Sequence, residues 1–133
     1  MPSPPRPRPA RTAARVMADG VALVHLGISF FIPFGGLLVW ARLAPLWLHL
    51  PIAAWGVYVH AADRTCPLTP LEQRLRTRAG VPSYSGGFVA QYLLPRRWRG
   101  RAAPAGAPSA TFNYGVATGI VLANVCIYAL AYG

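Results

Sequence analysis

Residues 20–41 read GVALVHLGISFFIPFGGLLVWA, a run of 22 residues without a formal charge. At about 1.5 Å of rise per residue, a helix of this length crosses the roughly 30 Å hydrocarbon core of a bilayer. Two more uncharged runs follow, 20 residues from Leu43 to Ala62 and 21 from Phe112 to Tyr132. None has the polar face that a core helix of a small soluble domain shows to water. Only 12% of the 133 residues are charged and 54% are hydrophobic, against about 25% charged in an average soluble domain. The expected fold is therefore an all-α integral membrane protein, a three-span helical bundle with spans at about 18–41, 43–62 and 112–132. The first run exceeds the apolar core of a signal peptide, about 7–15 residues, so it reads as an uncleaved anchor.

The charges give an orientation. Thirteen arginines and no lysine face only Asp19, Asp63 and Glu72, a formal net charge of +10. Arg6, Arg8, Arg11 and Arg15 precede the first run, eight arginines lie between the second and third, and Arg42 stands alone in the hairpin between the first two. With three crossings, the Arg-rich segments all fall on one side, which the positive-inside rule assigns to the cytoplasm. The N-terminus is expected inside and the C-terminus outside. Trp40 and Trp47 flank the outer hairpin and Tyr128 and Tyr132 end the third run, positions suited to the aromatic belt. Residues 1–16, rich in Pro and Arg, are expected to form an extended, disordered cytoplasmic tail. A single helical membrane domain would then occupy 17–133, with Met17 as an alternative start.

Residues 65–80, TCPLTPLEQRLRTRAG, interrupt this apolar chain. Thr69 as N-cap, Pro70 at the first helical position and Glu72 at the third form a capping box, and Gly80 is placed to end the helix. Leu71, Leu75 and Ala79 share one face while Arg74, Arg76 and Arg78 spread round the rest. A short amphipathic helix on the inner leaflet is expected, its arginines on anionic headgroups. Beyond the Gly86-Gly87 bend, FVAQYLL (88–94) is apolar but too short to cross, and is expected to dip into the interface or pack under the bundle. Arg96, Arg97, Arg99 and Arg101 surround Trp98. So close to a membrane they are expected to bind anionic lipid within an interfacial segment spanning 67–101, with no nucleic acid as partner.

Asp19 and His25 in the first span, then FGGLL, WLHLP, Trp55, CPLTPLE, YSGGF and YLLP together resemble the small bacterial membrane-protein family catalogued as domain of unknown function 2784. The resemblance runs from about Met17 to the C-terminus and implies a small multi-span protein of the bacterial cytoplasmic membrane, with no assigned activity. The family often has an acid and a His just before YL, where this chain has Ala90 and Gln91.

Polar and small residues mark helix faces. Ala18, Ala22, His25, Ser29 and Gly36 share one face of the first span, and His49, Ala53, Gly56 and His60 share one of the second. Gly115, Gly119 and Ala123 form a small-xxx-small pattern in the third, with Asn124 beside it; this is the expected helix-packing seam. Asp19, His25, His60, Asp63 and Glu72 fall in the inner half or at the inner rim, where imidazole and carboxylate together suit a metal, a proton relay or a quinone. His49 lies too near the outer surface to join them. No nucleophile-base set, phosphate loop or paired carboxylates appear, and no cofactor or metal ligand set is expected, so the chain is not read as an enzyme. The first expectation is a structural or accessory protein acting through helix packing and anionic lipid, as a homo-oligomer or within a larger complex. The alternative is a small-molecule, metal or proton-handling protein that uses the inner polar cluster.

Overall fold

A computed structural model describes residues 8–84, 87–97 and 110–133. Arg99 and Arg101 lie outside the described residues, as do residues 1–7. The helices described from end to end are α1 Arg8–Trp40, α2 Leu46–Ala61, α3 Leu68–Ala79, α4 Phe88–Tyr92 and α5 Ala110–Tyr132. Of these, α1 and α5 are long and apolar enough to cross a membrane.

Helix α1 starts earlier than its apolar run suggests. The expected extended tail is corrected from Arg8 onward, where the chain is already helical. Pro9 sits in the first turn, where its missing N–H costs nothing, and the strong helix formers Ala and Arg then recur through Arg15. At its other end Arg42 adopts a left-handed conformation (φ 58°) and the Leu43 amide bonds back to the Leu38 carbonyl at 2.8 Å. The helix stops there and the chain reverses into α2.

Contacts set the course of the three long helices. A Cβ on Gly56 of α2 would run into Ile32 of α1, and one on Gly35 would run into the His49 ring. Asn124 of α5 donates to the Ile32 carbonyl at 3.0 Å, and a Cβ on Gly36 would meet Ile127. His49 and Tyr128 share a 2.6 Å hydrogen bond, while Asn113 bonds Asp63 at the opposite end. Helices α1 and α5 therefore run one way and α2 the other. The small-residue faces read on the first two helices are the packed ones: Ala18, His25, Gly36, His49, Ala53 and Gly56 are buried.

The expected seam on α5 is corrected. Gly115 and Gly119 are exposed, and a Cβ on either would meet nothing within 4 Å. Asn113, Ala117 and Ile120 are buried instead, a face with helical spacing that carries more volume into the bundle than glycine does. The Gly115/Gly119 side is left open to the surroundings.

Helix α3 is also corrected at its start. Its N-cap position is Pro67, with no side-chain cap, so Thr69 and Glu72 form no capping box. Thr69, Glu72, Leu75 and Ala79 are buried, and this face lies along α1, while Leu71 is left exposed. Gly80 ends the helix in the left-handed conformation expected of it (φ 70°). After it, α4 is a single short turn whose Phe88 and Ala90 are buried, packed under the bundle.

Candidate functional site

Two features meet at the α3 end of the bundle. The first is a caged carboxylate. Glu72 has no solvent exposure, and its Oε1 accepts hydrogen bonds from Arg76 Nε at 2.8 Å and the Tyr92 hydroxyl at 2.6 Å. Its Oε2 accepts from the Tyr84 hydroxyl at 2.9 Å. Arg76 Nη2 donates to the Tyr92 oxygen at 2.9 Å and reaches Asp19 of α1 at 3.5 Å. A buried carboxylate is tolerable when it is paired and its lone pairs are used; here both conditions hold. The bond to Glu72 drives the Arg76 guanidinium still further toward its charged form. Burial, then the bond to Glu72, pushes the Tyr92 hydroxyl up to about 12 and raises that of Tyr84 as well.

The second feature is a cavity of about 930 Å³ between α1, α2 and α5, lined below by the 63–69 loop and α4. Its walls toward the bundle middle are apolar: Ile32 and Pro33 of α1, Ile52 and Trp55 of α2, Val116 and Ile120 of α5. Toward the α3 end the lining becomes polar, with His25, His60, Asp63, Asn113 and Thr69. His25 joins the two features. Its ring stacks on Phe88 at a centroid distance of 3.9 Å, Phe88 packs on Tyr92 at 4.6 Å, and Tyr92 holds Glu72.

The five acids and imidazoles expected at the inner rim fall into two linked sets. Asp19 and Glu72 share Arg76, Asp63 is taken by Asn113, and His25 and His60 line the cavity. Among the described residues no group of three or more His, Cys, Asp or Glu side chains is placed to hold a metal ion. His49 sits at the far end with Tyr128, apart from the others as expected. Of the arginines read as lipid contacts, Arg74, Arg78, Arg96 and Arg97 are exposed. Arg76 is turned inward to Glu72, a correction to its expected role.

A family model described as Protein of Unknown function (DUF2784) matches residues 15–129. The chain belongs to this family. Among curated proteins and among solved structures, nothing matches it. Three of the stretches by which the sequence resembles DUF2784 have one structural use. CPLTPLE ends in Glu72, YSGGF begins with Tyr84 and ends with Phe88, and YLLP begins with Tyr92. These are the carboxylate, its two hydroxyl donors and the ring that carries the stack to His25.

Sequence reasoning missed Tyr84, Tyr92 and Asn113 as partners because they lie 12, 20 and 50 residues from the acids they bind. The recurrence of Tyr in two loop motifs after a lone Glu was the available signal. Tyrosine hydroxyls beside apolar packing usually find a hydrogen-bond partner, and Glu72 is the acid nearest to both in sequence.

Proposed function

We propose that this DUF2784 chain is a three-span protein of the bacterial cytoplasmic membrane that binds an apolar small molecule within its bundle. The cavity carries this reading. Its volume is that of a ligand pocket, about 300–1,000 Å³ in general, and such pockets combine mostly apolar walls with a few polar groups, as this one does. The membrane setting is supported by the outward surface: only 17% and 11% of the most apolar stretches of α1 and α5 are buried, whereas core helices of a soluble domain are mostly covered. Leu23, Phe34, Leu122, Val125 and Leu130 are among the apolar side chains that point away from the bundle. Helix α2 is the third crossing on this reading. It is uncharged and held between α1 and α5, and the uncharged residues 43–45 and Ala62 extend it toward the required length.

The orientation follows the arginines, with the N-terminus in the cytoplasm and the C-terminus outside. Arg74, Arg78, Arg96 and Arg97 then stand at the inner leaflet, where each cation contributes about 1 kcal/mol of attraction to anionic lipid. A structural or accessory role remains a second reading, favoured by the open Gly115/Gly119 face of α5, which suits a second copy of the chain or a larger membrane complex.

Photolabelling in lipid nanodiscs tests the cavity reading. Dodecane bearing a diazirine should label Ile52, Val116 and Ile120 saturably, and Val116→Trp should abolish that labelling by filling the space. Labelling that stays spread over Leu23, Leu122 and Leu130, unchanged by Val116→Trp, contradicts ligand binding.

A further inference from the structure

The cavity is built with a sense of direction, and one of the side chains that line it, His25, carries a polar atom without a partner. Along α2 its wall runs from Pro51 to His60, about 14 Å of helix at about 1.5 Å per residue. Pro51, Ile52, Gly56 and Val59 line most of that length, and His60 comes only at the end nearest α3. The same order holds on α5, where Asn113 is followed by Val116 and Ile120, and on α1, where His25 precedes Ile28 and Ile32. The imidazoles and the amide therefore lie at one end of the space, and Ser29, one turn further along α1, already donates its hydroxyl to the His25 carbonyl at 2.8 Å. His25 is 5% exposed, and its Nδ1 is buried without a hydrogen-bond partner. An unsatisfied buried polar atom is costly, and native structures rarely leave one.

We infer that the cavity holds an uncharged single-tailed amphiphile, its carbonyl or hydroxyl head hydrogen-bonded to His25 and its tail between α2 and α5. This rests on the reading of the cavity as a binding site and adds the chemistry of the occupant. The tail matches the mostly apolar α2 wall between Val59 and Pro51, where the indole N–H of Trp55 is the polar side-chain group. A neutral head follows from the charges already present. Glu72 is paired with Arg76, while Asp63 bonds the neutral Asn113 and is itself exposed to solvent. A charged head at His25 would have to leave water for an apolar space with no counter-ion reserved for it, which is far more costly than moving a neutral carbonyl. Arg64 also borders the cavity, but its residue is exposed to solvent, so it does not constitute such a counter-ion. Long-chain quinones and lipid-derived ketones or alcohols share the required chemistry.

The test uses the full chain in nanodiscs and a dodecyl series that competes with the diazirine photoprobe: dodecane, dodecanol, dodecyl methyl ketone, dodecanoate and dodecylammonium. The alcohol and ketone should compete about tenfold better than the alkane and the two ions, the value of one well-made hydrogen bond. His25→Phe keeps a ring on Phe88 but removes both nitrogens, and should bring the ketone down to the level of the alkane. His25→Gln, which retains hydrogen-bonding groups, should preserve much of the preference and serves if the Phe variant fails to fold. A decylated benzoquinone compared with dodecyl methyl ketone separates the two sources, tighter quinone binding pointing to a quinone. Equal competition by all heads, or stronger competition by either ion, overturns the inference while leaving an apolar site intact. Loss of cavity labelling for every member of the series removes the site itself, and the inference with it.

Discussion

Glu72 illustrates how one residue's role changes between sequence and structure. Its position after Thr69-Pro70 reads as the acid of a capping box, yet Pro67 takes the N-cap position and the carboxylate turns inward to Arg76, Tyr84 and Tyr92. The chain near Glu72 reveals a helix start but not a cage, because two of the three donors lie 12 and 20 residues further along the chain. Removing one member of a buried pair strands the other, so Glu72→Ala should lower unfolding free energy by about 3 kcal/mol; Tyr84→Phe, which deletes one neutral donor, should cost about 1 kcal/mol. Reversible denaturation in mixed micelles measures both, and equal small effects would mean that the cage does not hold α3 and α4 in place. The tyrosines also predict an alkaline limit. Because the folded state raises Tyr92 from 10.0 to about 12, it keeps a proton that the unfolded chain releases. The stability that this represents is complete below about pH 10 and is lost as pH rises through about 12. Tyr92→Phe should flatten the decline in thermal midpoint over that range; an unchanged slope would contradict the assignment.

At the scale of elements, the apolar runs locate α1, α2 and α5, and small residues correctly mark the packed sides of α1 and α2. Where the reading fails, packing overrides the local pattern. Helix α3 has an apolar face at Leu71, Leu75 and Ala79, but the face it buries is Thr69, Glu72, Leu75 and Ala79, since Glu72 has partners there that water would otherwise replace. On α5 the Gly115/Gly119 repeat predicts a seam that lies instead at Asn113, Ala117 and Ile120. Glycine substitutions separate the two kinds of face. Gly35→Ala drives a methyl into the His49 ring and should destabilise the bundle by about 1–3 kcal/mol, the usual cost of overpacking. Gly119→Ala meets nothing and should leave the monomer's thermal midpoint unchanged or slightly raised. If Gly119→Ala instead dissociates a purified oligomer, as read by mass in detergent, the open face of α5 is an interface between copies. On α3, Arg74→Gln with Arg78→Gln should reduce the anionic lipid retained through purification, and mass spectrometry of the lipid complexes would show it. Retention that persists would assign the lipid contact to residues other than these two exposed arginines.

The whole molecule depends on whether α2 crosses the bilayer. Its 16 residues from Leu46 to Ala61 give about 24 Å of helix, less than the roughly 30 Å of a hydrocarbon core. Pro45, Ala62 and the apolar turn residues must supply the remainder. The sequence shows an uncharged run of sufficient length from Leu43 to Ala62, but the ends of a helix depend on turn geometry, and here Arg42 and Asp63 take left-handed conformations that close the chain early. The cavity was not legible, because it arises only when the 63–69 loop and α4 fold under the three long helices, and the cage was signalled only by two tyrosines that follow Glu72. Their location at the Arg-rich end makes the sidedness of the bundle central to every functional statement about it. Three crossings put the two termini on opposite sides of the membrane; two crossings, with α2 lying in the interface, put them on the same side. A C-terminal alkaline phosphatase fusion, paired with a fluorescent cytoplasmic reporter at the same position, decides this directly. The account predicts an active phosphatase and a dark cytoplasmic reporter. An inactive phosphatase with a bright reporter would contradict the third span and return the loop, the cavity and the orientation to question together.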